Sequence, residues 1–525
     1  MPYTTRGSFS KLARETTHSF RRAVAAGASS LTVGALCLAA LPAWGSATAS
    51  VADAVTTALK DAGGASVTVD KSCGTVPTAA GSSVRPAVRA VARPVAVGRQ
   101  PVAYGTNRVV IRTPVDAIDT VEDRVLQALS AIDHPGPVEV TPEAPILFPD
   151  APDGPIDPVV PVALATGDGP AVDVVRLARV LNRPDEGTSA SLDYIMSPSS
   201  GSSGMWPNGY PRWTDTLPAP RAASIGSGTV IVVYDTGLPS QGSGTWPPNV
   251  SRLTNNDVET LDQRAPYGEV DLYYGGHTLA IASVIATLAP AAEVRAARIT
   301  RPDGIATDAA AARRMAVTLS STGPGGGPDV IVNSFGSPVC VGDSGEDLVP
   351  LGLEAVSEAV WRYRDAVLVA ASGNRSSDQR IYPAAFATVV SVGALDNGSV
   401  GDPWTSPTRS GPPAWFSDHG AWVDVWAPGT ALAVNHVNGL RFEPRGDTIM
   451  GKAIVDGTSV ATPYFAALVA DQMAATGQSP RQAARAVIDS GTRCSAAVGS
   501  GIAVALTSMA ASATTRAPFG LPSAC

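Results

Sequence analysis

The apolar pattern divides the chain in two. From Gly228 onward, apolar runs too short for helices alternate with longer stretches of helical spacing. Thr229-Val230-Ile231-Val232-Val233-Tyr234 is β-branched almost throughout and ends in Asp235-Thr236-Gly237. A run without polar alternation predicts a strand buried on both faces. Further strands are predicted over 293–299, 330–333, 366–370 and 389–392. Helices are predicted over 278–288, 306–319 and 351–363. Such alternation predicts βαβ units around a parallel sheet, whose functional groups gather at the carboxyl ends of the strands. Asp235, Ser334 and Asn374 all fall at or just past such ends.

The earlier part of the chain has a different rhythm. Residues 106–198 predict a small α+β unit. Its strands fall over 108–111, 138–140, 159–166 and 190–196, and its helices over 115–132 and 172–181. In the first helix Val121, Val125, Leu126 and Leu129 share one face. Residues 50–105 are poor in aromatics and broken by Gly63-Gly64 and Gly81-Ser82-Ser83. They predict a low-complexity linker with a short helix near Val51. Residues 199–225 open on Ser199-Ser200-Gly201-Ser202-Ser203-Gly204, a hinge of the kind where proteolysis concentrates. Residues 226–525 form the large α/β domain.

Composition narrows the function. With 525 residues and 16% charged residues, the chain carries a net charge of −8, which argues against a nucleic-acid partner, since that would need a concentrated basic face. Lysine occurs only at Lys11, Lys60, Lys71 and Lys452 against abundant arginine, the usage of a GC-rich bacterial genome. Arg6, Lys11, Arg14, Arg21 and Arg22 precede an apolar run from Ala23 to about Pro42, and Ala47-Thr48-Ala49 offers a small-x-small cleavage site. Residues 1–49 therefore predict a signal peptide, with secretion to the extracellular space and no stable membrane anchor once it is removed. Without Cys37, four cysteines remain, an even count that fits two disulfides in an exported chain. Nearness in sequence favours Cys494–Cys525, which leaves Cys73–Cys340, although spacing leaves all three pairings open.

Four polar residues in small-residue settings carry the chemistry. Asp235 ends the first strand. His277 follows Gly275-Gly276 and opens an apolar helix. Asn374 follows Ser372-Gly373 past a strand end. Ser459 stands in Gly457-Thr458-Ser459-Val460-Ala461-Thr462-Pro463, ahead of a helix. Each taken singly is also an ordinary turn or cap residue. Together, an Asp, a His and a Ser supply an orienting carboxylate, a general base and a nucleophile. An amide donor beside the backbone N–H of the nucleophile would complete an oxyanion hole.

In order and context these segments resemble the subtilisin-like serine proteases, the subtilase family. The resemblance covers residues from about 226 to 510. Val230 to Gly237, Gly276-His277 with Ala280 to Ala286, Val332-Asn333-Ser334-Phe335-Gly336, Val367 to Asn374, Tyr382-Pro383-Ala384, Trp426-Ala427-Pro428-Gly429 and Gly457 to Pro463 carry it. It implies a three-layer fold with a mostly parallel sheet between helices. It also implies an endopeptidase acting through an acyl-enzyme, with Asp235, His277 and Ser459 as the triad and Asn374 as oxyanion donor. Protein or peptide substrates would lie along Ser334, Phe335 and Gly336, against Ser372 and Gly373, with Ile381 flooring a shallow pocket. That pocket would favour small or medium apolar side chains. The 106–198 unit resembles a propeptide that acts as an intramolecular inhibitor, matured within the hinge.

Two departures from the family's pattern stand out. Thr278 and Leu279 replace the usual Gly and Thr after the histidine, which is expected to shift the start of that helix. Tyr464 replaces a His after Pro463. Thr278 keeps a catalytically weak or inactive peptide-binding relative as the alternative. A Glu-based sedolisin-type peptidase is disfavoured by His277 and Asn374. No cofactor is expected. Calcium is common in the family, but no acidic loop here has convincing ligand spacing.

Overall fold

The computed structural model describes residues 67–70, 102–149, 154–198 except 184 and 186, 211–259, 275–300, 305–321, 327–341, 347–396 except 364, 413–441, 448–496 and 499–503. The predicted signal peptide, the helix near Val51 and the hinge from 199 to 210 lie outside them.

The N-terminal unit contains strands β1 (Val67–Asp70), β2 (Val102–Arg112), β3 (Glu139–Pro142), β4 (Val159–Ala165) and β5 (Ser189–Pro198), with helices α1 (Val121–Ala131) and α2 (Val174–Leu181). Two differences from expectation are informative. β2 begins at Val102, inside the predicted linker, and β1 pairs with its first residues. Gly105 and the polar Thr106 and Asn107 break the apolar run that would have marked its start. The predicted 115–132 helix is a 3-10 turn over 115–120 followed by α1, because Pro114 and two acidic residues occupy its first turn without an apolar face to bury. Asp173 caps α2 by accepting the Arg176 N–H at 3.0 Å.

The larger part is a nine-stranded sheet. Its order is β19 (Thr492–Ala496), β20 (Gly499–Ala503), β16 (Val425–Pro428), β15 (Val389–Leu395), β13 (Val367–Ala371), β11 (Val330–Asn333), β7 (Val230–Asp235), β9 (Glu293–Arg298) and β8 (Val250–Arg252). Every neighbouring pair is parallel except β19–β20. Strand periodicity then sorts the layers. Ile231, Val233, Val330, Val332, Val367 and Val369 pack on one face against helices α3 (His277–Leu288) and α6 (Thr458–Thr476). Val232, Tyr234, Ile331, Leu368 and Ala370 face the opposite way, toward α4 (Asp308–Ser321) and α5 (Leu351–Tyr363). α7 (Pro480–Ser490) follows α6, and β17 (Leu432–Arg441), β18 (Thr448–Val455) and β6 (Arg212–Trp213) make a small antiparallel sheet.

The core on the α4–α5 face runs without interruption into the N-terminal unit, through Val110, Leu192 and Tyr194. Backbone pairing joins the two as well. β12 (Phe335–Pro338) is bonded on one side to β5, with Phe335 opposite Pro198 and Gly336 opposite Ser197. On its other side lies β14 (Ile381–Tyr382). β10 (Ala306–Thr307) pairs with Ile195 and Met196. The end of β5 is thus a strand of both units. The predicted strand stopped at Met196; Ser197 and Pro198 extend it because β12 supplies their partner.

Candidate active site

The carboxyl end of β7 and the start of α3 meet. Asp235 Oδ1 lies 2.8 Å from His277 Nδ1, and both side chains are fully buried. The same oxygen accepts the Thr236 N–H at 2.7 Å. Gly276 makes this approach possible. It caps α3 with φ +80, and a Cβ there would lie 2.6 Å from the His436 ring. Both facts favour glycine. α3 begins at His277, so Thr278 does not displace the helix start. Its hydroxyl instead lies 3.4 Å from Asp235 Oδ1 and 3.0 Å from Thr236 Oγ1, and its N–H donates to Thr236 Oγ1 at 3.4 Å. Gly276→Ala is expected to destabilise the protein by roughly 1–3 kcal/mol and to impair any activity that needs His277, because strain and clash coincide. A thermal melt alongside an activity assay checks this; an unchanged melting midpoint would contradict it.

Ser459 is buried in the first turn of α6, behind Gly457 at the cap. Pro463 is the sixth residue of α6, inside the helix, and has no N–H to give to the Ser459 carbonyl four residues back. Ser334 Oγ donates to the Ser459 carbonyl at 3.0 Å. Asn374 comes to this turn from the end of β13. Its Oδ1 accepts the Thr458 N–H and the Thr458 hydroxyl, each at 2.9 Å. That fixes the amide with Nδ2 as its donor end. Gly373, at φ +112, donates its N–H to Thr458 Oγ1 at 3.2 Å. Asp418 clamps the same loop, accepting the N–H groups of Arg375 at 2.8 Å and Ser377 at 2.9 Å. The Ser372 hydroxyl donates to the Asp418 carbonyl at 3.2 Å. The helices that begin at His277 and Thr458 pack against each other, so both helix starts lie on one side of the sheet.

The predicted substrate residues form the adjoining edge. Ser334 links β11 and β12, Phe335 is buried, and Gly336 pairs with β5. Ile381 is fully buried in β14, and its Cγ2 would lie 2.8 Å from a Cβ on Gly336. Cys340, just beyond β12, is disulfide-bonded; Cys73 and Cys525 lie outside the described residues. Among those residues no group of three or more His, Cys, Asp or Glu is gathered as a metal would require, and no helix is long and apolar enough to cross a membrane.

Sequence reasoning missed three participants. Thr458 anchors Asn374. His436, from β17, packs on Gly276, and burial, then the nearness of His277, pushes it down to about 3. Glu259 accepts the Gly276 N–H with both carboxyl oxygens, at 3.0 and 3.1 Å. Thr458 stands within the serine stretch, but nothing local ties it to Asn374, 84 residues away in sequence. His436 and Glu259 stand in no motif, and Glu259 sits in a polar loop that periodicity cannot read.

A parallel α/β sheet with a buried Asp–His pair at one strand end and a serine at a helix start defines a class of site. Residues 226–512, more than half of the chain, match the Peptidase_S8 family, the subtilase family, and the chain belongs to it. The chain is 29% identical over 252 residues to a thermophilic serine proteinase of Bacillus sp. (strain AK1), a match covering 46% of this chain and 52% of that protein. It is 28% identical over 273 residues to thermitase of Thermoactinomyces vulgaris, covering 50% of this chain and 81% of thermitase. With the subtilisin-like proteinase Mp1 of Magnaporthiopsis poae the match is 34% over 116 residues, 22% of this chain and 24% of Mp1. The chain thus spans about half the length of the first relative and a quarter of Mp1. Among solved structures, fervidolysin from Fervidobacterium pennivorans gives a TM-score of 0.43 at 16% identity, over 74% of this chain and 57% of that one.

Proposed function

We propose that the protein is an exported serine endopeptidase, made as a zymogen whose N-terminal unit lies in its own substrate cleft. In this reading Ser459 attacks a peptide carbonyl while His277 takes its proton. Asp235 holds the imidazole with the proton on Nδ1, leaving Nε2 as the base. The Ser459 N–H and Asn374 Nδ2 stabilise the oxyanion. The acyl group passes to Ser459 as the amine departs with the proton from His277, and water then releases the acid. The observation that carries the reading is the buried 2.8 Å pair of Asp235 and His277 at the end of a central strand. Thr278, which motivated a non-catalytic alternative, bonds to the Asp235 carboxylate without displacing it. A fluorophosphonate should label the wild-type protein at Ser459; equal labelling of Ser459→Ala would overturn the assignment.

Support for the zymogen reading comes from β5. Its last residues add a strand between β10 and β12, the place where a substrate backbone would be held by β-augmentation. The interface carries Arg112 of β2 against Glu354 and Glu358 of α5. It also buries two acids. Asp193 of β5 accepts the Ala309 N–H at the start of α4 at 3.0 Å, and Arg108 lies 3.3 Å away. Asp308 accepts the N–H groups of Gly352 and Leu353 at the start of α5, both at 2.8 Å. Burial raises Asp193 against the pull of the Ala309 N–H and Arg108. Burial, then the charge of Asp193, pushes Asp308 up to about 7.

A carboxyl raised by folding or docking holds an extra proton in that state. Its contribution is full below the unperturbed value of 3.8 and is lost as pH rises through about 7. The N-terminal unit should therefore dock most firmly in acid and loosen toward neutrality. In the Ser459→Ala background, Asp308→Asn should flatten the decline in melting midpoint over that range. An Asn variant that keeps the full slope would refute the assignment.

A further inference from the structure

Behind the Asp235–His277 pair lies a second carboxyl group that the triad does not use. Glu259 is buried, and its backbone N–H is tied to the Leu238 carbonyl at 2.8 Å, just beyond the end of β7. Its carboxyl receives the Gly276 N–H, the cap of the histidine helix, and contacts the Thr236 hydroxyl. Thr236 Oγ1 is 3.0 Å from Thr278 Oγ1, which in turn reaches Asp235 Oδ1 at 3.4 Å. The contacts make one line: Glu259, Thr236, Thr278, Asp235, His277.

Each threonine hydroxyl has one proton to give. If Thr278 gives its proton to Asp235, it must accept from Thr236. Thr236 has then spent its proton and can only accept from Glu259, so Glu259 must carry a proton. If Glu259 is ionised, it claims the Thr236 proton, Thr236 claims that of Thr278, and Asp235 loses a donor. The direction of the line is set by one proton on one carboxyl. We propose that Glu259 is a positioning residue which, in its protonated form, holds the start of the His277 helix and directs the Thr236–Thr278 hydroxyls onto Asp235. This rests on the peptidase reading above.

The charges around Glu259 allow that form at neutral pH. Burial pushes the carboxyl up to about 8, opposed by the Thr236 hydroxyl and the Gly276 N–H and reinforced by Asp235. His277 and His436 lie across Gly276. On the other side Asp257 is held by Arg314 at 2.9 and 3.0 Å, and Arg298 is bound to the Val258 carbonyl at 2.9 Å. Those cations are thus already engaged by other acceptors. As pH rises through about 8, the line reverses and a second negative charge appears beside Asp235.

The test measures kcat and KM for a peptide substrate, with the purified protein, across the neutral to alkaline range. Glu259→Leu should lower kcat roughly tenfold at all pH values with KM held, the size expected for losing one hydrogen bond to a charged group. Glu259→Gln, which can donate to Thr236 and accept from Gly276 at every pH, should restore the rate and abolish the wild-type decline near pH 8. A Gln variant whose alkaline limb superimposes on that of wild type would overturn the relay. If the wild-type protein shows no Ser459-dependent labelling by a fluorophosphonate, the peptidase reading fails and the relay falls with it. Labelling with a superimposed limb sinks the relay alone.

Discussion

Ser459→Ala is expected to reduce peptide hydrolysis roughly a millionfold while the protein still folds, binds substrate and melts near the wild-type temperature. The size of the effect follows from how the groups act. His277 has no proton to take once the hydroxyl is gone, so the loss is that of the whole unit and not of one contact. His277→Ala should cost a similar factor, and the double variant little more. A steady-state assay on purified variants checks this. Two single losses that multiply in the double variant would show that Ser459 and His277 work independently, contrary to the account. The fold should survive because the turn is held through the Ser459 carbonyl and through the N–H and hydroxyl of Thr458. Ser334 donates to the Ser459 carbonyl, and Thr458 rather than Ser459 anchors Asn374.

Asn374→Ala should lower turnover roughly a hundred- to a thousandfold, the loss expected for one oxyanion donor. The amide has two ends with separate duties. Its oxygen is engaged by the N–H and hydroxyl of Thr458, so its nitrogen is the end that can face a developing charge. Thr458→Val separates the two. It keeps the donor but removes one of the two bonds that aim it, and should cost much less, within about tenfold. Equal losses in the two variants would mean that Asn374 acts by holding the Thr458 turn and not by meeting an oxyanion. KM should move little in either case, since the interaction belongs to the transition state.

The parts of this molecule that could be read from sequence are those where one residue pattern has one physical solution. The uninterrupted β-branched run before Asp235, bounded by glycines, reads as a doubly buried strand, and its two faces do pack into separate layers. The groups proposed for catalysis lie at strand ends or helix starts in small-residue settings, which made Asp235, His277, Asn374 and Ser459 visible together. What escaped was set by contacts distant in sequence. β5 runs on through Ser197 and Pro198 because β12, far along the chain, supplies its hydrogen-bond partner. β2 starts early because β1 covers an edge that its own composition does not advertise. The hairpin of β17 and β18 brings His436 onto Gly276, which no local pattern announces. Thr278 looked like a flaw when judged against its neighbours in sequence. In space it meets the Thr236 hydroxyl and the Asp235 carboxylate, so the larger side chain adds a donor at the place where it had looked disruptive.

The central claim is that Ser459 is the nucleophile of a peptidase whose cleft the N-terminal unit occupies until maturation. The most direct measurement is the mass of the secreted protein after reaction with a fluorophosphonate, followed by mapping of the modified peptide. The account predicts a single adduct on Ser459, carried by a chain that has been cut after β5, and no adduct in Ser459→Ala, which should also remain uncut. An adduct on another residue, or cutting that proceeds unchanged in Ser459→Ala, would contradict it.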